Sequence, residues 1–206
     1  QVRAEGFPGY DIRPPGEREL YSSIVFLEPF DWRNQRAFGY DMHSEPVRRA
    51  AMATARDEDR TTISGKVRLM QETEQDVQAG VLMYLPVYRQ GVPHETVDER
   101  RQNHLGWVYA PFRMNDLMAG ILGRYFGEIG EQLHLEIHDG AGSDAGSLLF
   151  SSGAAGAGDV RAFAAVRTID LFGRQWTLRV HTLPAFHERI VGYRANLVAA
   201  AGAIGS

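Results

Sequence analysis

His134, Glu136 and His138 stand two residues apart within 132–139. On an extended strand that spacing sends all three side chains to one face, where two imidazoles and a carboxylate could hold a metal ion. The interleaved Leu133, Leu135 and Ile137 form the complementary apolar row. A solvated outer face explains the alternation without any ligand, so no metal and no cofactor is expected. Gly153, Gly156 and Gly158 follow a strand-like run, as a dinucleotide loop would, but their spacing departs from that fingerprint and the next segment alternates like a strand. A hairpin loop is the expectation there. Asp57, Glu58 and Asp59 could do acid–base work, yet Arg56 and Arg60 flank them at the end of a helical pattern, which reads as a solvated charge cluster. No serine sits in a nucleophile-elbow context and no His-Glu-x-x-His pattern occurs, so catalysis has no support in the sequence.

Asp41 is the polar residue of greatest interest. It lies in Gly39-Tyr40-Asp41-Met42-His43-Ser44, between a strand-like run and a helix start. Taken by itself it is a turn or capping aspartate, whose short carboxylate accepts nearby backbone N–H groups.

These residues need elements to position them. Tyr21–Glu28 mixes β-branched and aromatic residues and stops before Pro29, which predicts a buried strand. Ser44-Glu45-Pro46 is a helix start, and Val47, Ala50, Ala51 and Ala55 predict an amphipathic helix to about Asp57. Strands are predicted over 61–70, 81–89 and 104–113, with the polar run 71–78 as a loop. The period then changes from two to 3.6 over 115–126, predicting a helix and a boundary between two units. Half-buried antiparallel strands are predicted over 132–139, 147–151, 161–169 and 175–183, separated by Gly-rich loops. The element order is that of two α+β units, the second PAS-like.

Composition bounds the function. With 206 residues, 44% of them hydrophobic, the chain can bury one large core or two small ones. A net charge of −4 and the lack of a basic block leave nothing for phosphate-backbone binding, so nucleic acid is not an expected partner. Cysteine is absent, which excludes disulfides, thiolate ligands and thiol nucleophiles. Residues 1–9 lack the apolar core of a secretory leader, and the apolar run 197–204 is shorter than the roughly 20 residues of a span, though it suits the beginning of one.

From about Tyr21 to Met118 the chain resembles the CHASE family, the extracellular sensor region of histidine kinases, nucleotide cyclases and related receptors. The resemblance is carried by Ile24-Val25-Phe26-Leu27-Glu28-Pro29, Gly39-Tyr40-Asp41-Met42-His43-Ser44 and Arg48 or Arg49 in the next helix. It continues through Ala55-Arg56-Asp57, Ile63-Ser64-Gly65, Leu69-Met70-Gln71, Gly80 and Pro86-Val87-Tyr88. It ends with Gly106-Trp107-Val108-Tyr109-Ala110-Pro111-Phe112-Arg113.

The resemblance implies two tandem PAS-like units, each an antiparallel sheet with helices, flanked by N- and C-terminal helices that lead to membrane spans. Residues 1–113 would be the membrane-distal ligand-binding unit, 114–188 the membrane-proximal unit, and 189–206 a C-terminal helix leading toward a span. It further implies a periplasmic or extracellular location, a homodimer in the intact receptor and a small-molecule ligand, purine or cytokinin-like. Catalytic output would lie in a cytoplasmic region outside this chain. In the plant cytokinin receptors an aspartate at the place of Asp41 hydrogen-bonds the adenine, and Ile63 and Thr73 fall near further ligand contacts. Phe26, Tyr84 and Tyr88 would form apolar walls, with Ser64 and Arg68 in the neighbouring strand. Where the plant segment carries a proline this one reads Ser64-Gly65-Lys66, so the pocket floor is expected to differ. The alternative is a module that binds no ligand and serves structure or dimerisation, its pocket filled by its own side chains. A hydrolase on the same scaffold ranks third.

Overall fold

The computed structural model describes residues 1–123, 130–153 and 163–190. The chain divides into two compact units, one of residues 1–114 with 170–174, the other of 115–169 with 175–206.

In the first unit, 3₁₀ turns at Asn34–Ala37 and Met42–Ser44 precede helix α1 (Pro46–Glu58). The reasons for α1 are local. Pro46 occupies the first turn, where its missing N–H costs nothing, and the Glu45 carboxylate accepts from Val47 N and Arg48 N. The helix ends where Asp59 turns left-handed at φ 49°. Strand β1 (Thr62–Ile63) is two residues long and pairs with β2 (Gly80–Tyr88), which pairs along its whole length with β3 (His104–Arg113). All pairings are antiparallel. Helix α2 (Val97–Asn103) opens on a capping box in which Thr96 and Glu99 exchange hydrogen bonds.

The core lies where α1 packs on β2. Ala51, Met52 and Ala55 from the helix meet Leu69, Leu82 and Tyr84, and Ile24, Ala37, Tyr40 and Met42 close the other side. Residues 1–40 are largely irregular and are held by a small edge-to-face cluster of Phe7, Tyr10, Phe30 and Phe38, with ring centroids 4.9 to 5.5 Å apart. Gly39 sits at φ 80°, and a side chain there would collide with the Asp11 carbonyl, so the passage into Tyr40 and Asp41 requires glycine.

The second unit begins with α3 (Met114–Leu122), its first residue belonging to the first unit, and carries a four-stranded sheet. The strands are β4 (Leu133–Asp139), β5 (Leu148–Ser151), β6 (Ala164–Leu171) and β7 (Arg174–Thr182), in the order β5-β4-β7-β6. The chain is thus α+β with antiparallel sheets, and no helix among the described residues is long and apolar enough to cross a membrane.

Three expectations are corrected, and one helix is additional. Tyr21–Glu28 forms no strand: among the described residues it makes one bridge, Ser23 to Asp41, and the partner backbone then turns into the 3₁₀ segment. The strand predicted over 61–70 stops after Ile63, with one further bridge at Val67. Helix α2 was not anticipated, although Thr96-x-x-Glu99 is a capping signature. Strand β6 is exposed along almost its whole length as an edge strand rather than half-buried. The helix expected over 189–206 lies, from residue 191 on, outside the described residues, as do Gly156 and Gly158.

Candidate functional site

Asp41 has no solvent exposure. Its Oδ1 accepts from Ser22 N at 2.9 Å, His43 N at 3.1 Å and the Ser22 hydroxyl at 3.3 Å, while Oδ2 accepts from Arg18 Nε at 2.7 Å. The bond from His43 N caps the 3₁₀ turn, and its carbonyl accepts from the Ser44 hydroxyl at 2.6 Å. One carboxylate therefore joins three segments. Only Oδ2, whose one donor is the partly exposed Arg18, could meet a further partner.

The other residues expected at the ligand do not gather round Asp41. Tyr84 is 1% exposed in the core, where its hydroxyl donates to Met42 Sδ at 3.7 Å, and burial raises its pKa well above the ordinary phenol value. Phe26 stands 77% exposed. Ile63 is buried, and the Ser64 hydroxyl accepts from Leu82 N at 2.9 Å and donates to Gly65 O. Tyr88 donates to Arg56 O, and Thr73 closes a local turn on Gln75 O. Phe26 thus faces solvent, while Asp41 and Tyr84 are packed among protein groups.

Arg68 does border an open cavity. It joins Tyr40, Arg48, Val67, Leu69 and Met70 around a cleft of about 600 Å3 that Arg36, Lys66, Glu45 and Glu72 complete. Arg48 is its most buried cation, at 3% exposure. The guanidinium donates to the Tyr40 hydroxyl at 2.8 Å and to Arg68 O at 2.7 Å, and lies 4.9 Å from the Tyr40 ring centroid. Its Nε–H is buried with no acceptor, as is the hydroxyl of Tyr109, whose pKa burial raises and the Arg48 charge partly restores. The acids are committed. Glu45 caps α1 with both oxygens, while Glu72, also buried, accepts from Arg113 Nε at 2.7 Å and from Gln78 N. Sequence reasoning had not singled out Tyr40, Arg48 or Met70 as lining residues. A signal existed: positions 48, 51, 52 and 55 form the buried stripe of α1, and a charge on such a stripe needs a reason.

A second set of perturbed groups lies at the far end of β2. His104 packs edge-on against Trp107 at 4.0 Å and touches Tyr88, and His43 also faces Trp107. Burial lowers the pKa of His104 to about 4 and lowers that of His43 as well. Asp57, by contrast, is an ion-pair carboxylate. The hydrogen bonds from Arg101, with help from Arg56, hold its pKa at about 2 against the opposing effect of burial.

In the second unit, the solvated face expected for His134, Glu136 and His138 is overturned, since both histidines are buried, at 2% and 3% exposure. Register places His181, Arg179 and Thr177 of β7 beside them on the same face of the sheet, so this buried face is polar. His134 and His181 stack at 4.7 Å, and Glu136 reaches His134 at 3.6 Å and His138 at 3.4 Å. No group of three or more such side chains among the described residues has the geometry to hold a metal.

Ser147, His138 and Glu136 form a hydrogen-bonded series, with Ser147 Oγ 3.1 Å from His138 Nδ1. Ser147 Oγ donates to Asp144 O and its N–H donates to Asp144 Oδ1, so the serine proton is spent inside a turn and is not offered to the imidazole. The series is structural.

The family model for the CHASE domain matches residues 1–150, which take in the whole α1–β3 arrangement and the cleft beside it. No curated protein matches the chain. CHASE regions are extracytoplasmic sensor domains of membrane receptors and are not themselves catalytic. The match covers well over half of the sequence, and the chain belongs to the CHASE domain family.

Proposed function

We propose that this chain is the ligand-sensing region of a transmembrane receptor with a histidine kinase or diguanylate cyclase output, and that its ligand occupies the cleft above Arg48 in the first unit. The two units act as tandem PAS-like modules of a homodimer, and the ligand shifts their arrangement by binding one state more tightly than the other. The observation that carries this reading is the cleft itself. It has the size of small-molecule sites, apolar walls from Val67, Leu69 and Met70, and a few convergent polar groups, inside the region matched by the sensor family. Among the residues expected at the ligand, Arg68 lines it directly; Ile63, Ser64 and Tyr84 hold the β1–β2 pair in place. A ligand N–H aimed at Asp41 would have to share or displace Arg18.

The test is a thermal-shift screen of the chain against small metabolites, repeated on Met70→Trp, which fills the cleft. Hits that vanish in the variant are expected. Hits that persist in Met70→Trp would move the site elsewhere. A second reading, a structural or dimerisation module, is favoured by the packed surroundings of Asp41 and Tyr84. It predicts no hits together with a dimer in sedimentation.

A further inference from the structure

Resting on the reading of the cleft as the ligand site, we infer that its ligand is a small organic anion, with a carboxylate or phosphate facing Arg48 and an apolar body against Val67, Leu69 and Met70. Four cationic side chains, Arg36, Arg48, Lys66 and Arg68, line the cleft with the two carboxylates of Glu45 and Glu72, and Arg68 also pairs at 3.6 Å with the exposed Glu74, which is not a lining residue. A surplus of positive charge alone would mean little. What gives it direction is the state of the acids. Both Glu45 oxygens accept backbone N–H groups of α1, and Glu72 is held by Arg113 and Gln78 N. Both carboxylates are thus already engaged.

The second observation concerns depth. Arg48 is almost wholly buried and two of its nitrogens have protein acceptors, but Nε–H has none. A buried charged donor without an acceptor is costly unless an acceptor arrives, and the strongest acceptor for a guanidinium is an oxyanion. A neutral purine offers weaker acceptors and would leave the charge uncompensated. The plainer alternative is that Arg48 is a clamp only, tying residue 68 to α1 through its bond to Arg68 O.

The experiment separates these. The probes are phenylacetate (carboxylate with an apolar body), inorganic phosphate (the charge alone) and adenine (an uncharged purine), each titrated calorimetrically at constant ionic strength. Phenylacetate is expected to bind saturably, with phosphate competing. The double variant Lys66→Gln/Arg68→Gln, both at the cleft rim, is expected to weaken phenylacetate roughly tenfold or more while its melting temperature stays near that of the parent chain, since rim charges contribute little to folding. Arg48→Lys keeps the charge but loses the fork, and is expected to abolish phenylacetate binding; should it fail to fold, the rim double variant decides. No saturable binding of either anion up to about 10 mM, where affinity is too weak for a built site, overturns the inference. Adenine binding without anion binding overturns the anion class and leaves the cleft as the sensor site. Anion binding untouched by the rim variant places the anion elsewhere and also overturns it.

Discussion

Replacing Asp41 by alanine tests the assembly of the first unit. The carboxylate accepts two backbone N–H groups, from Ser22 and His43, and one charge-assisted bond from Arg18, and it is fully buried. Two neutral bonds at about 1 kcal/mol each and one charged bond at about 1.5–3 kcal/mol suggest a loss near 4 kcal/mol. Arg18 is partly exposed, with 22% of its side chain reaching solvent, so it can recover hydration and trim the figure to about 3 kcal/mol. Such a loss lowers the melting temperature by about 6–12 °C in a chain of this size. Urea unfolding followed by tryptophan fluorescence measures it, and Arg18→Gln in the same background gives the coupling by a double-mutant cycle. Asp41→Asn should fall between, keeping an acceptor for the backbone donors and losing the charge. A cost below about 1 kcal/mol, the ordinary value of a lone cap, would refute the account of Asp41 as the joint between three segments.

Three further outcomes follow from the geometry. Leu82→Ala, at a β2 position 2% exposed in the core shared with α1, should cost about 2–5 kcal/mol by denaturant unfolding. Glu45→Ala removes both acceptors from the first turn of α1 and should cost about 1 kcal/mol, read by the same assay. The pH dependence has a definite sign. His104 has a folded pKa of about 4 against about 6.5 unfolded, so the unfolded chain binds the extra proton and stability falls as pH drops from about 6.5 toward 4. His43, also lowered, acts in the same direction. Half-exposure screens the effect, and the expected loss from His104 is on the order of 1–2 kcal/mol; His104→Phe should flatten that part of the profile, and an unchanged slope would contradict the assignment.

What the sequence determined by itself is what local chemistry dictates. Pro46 after Glu45 starts α1, the predicted strands match β2, β3 and β4 to within a residue, with alternation the signal for β4, and the change of period near Met114 marks the passage into α3. The ordered motifs from Ile24 to Arg113 carried the family resemblance, which the match over residues 1–150 bears out. Tertiary structure decided the rest. An alternating strand does not say which face is covered, and His134 and His138, read as solvated, are buried beside the polar row that β7 places next to them. Phe26 looked like a pocket wall, but the strand meant to present it found only one bridge, and it stands in solvent. Asp41 was visible as a residue of interest, whereas its saturation depended on Arg18 and Ser22, some twenty positions earlier, converging on one carboxylate. The cleft likewise exists only where α1 brings Arg48 to the segment 66–70, a meeting set by packing of a helix on a strand and by no spacing along the chain.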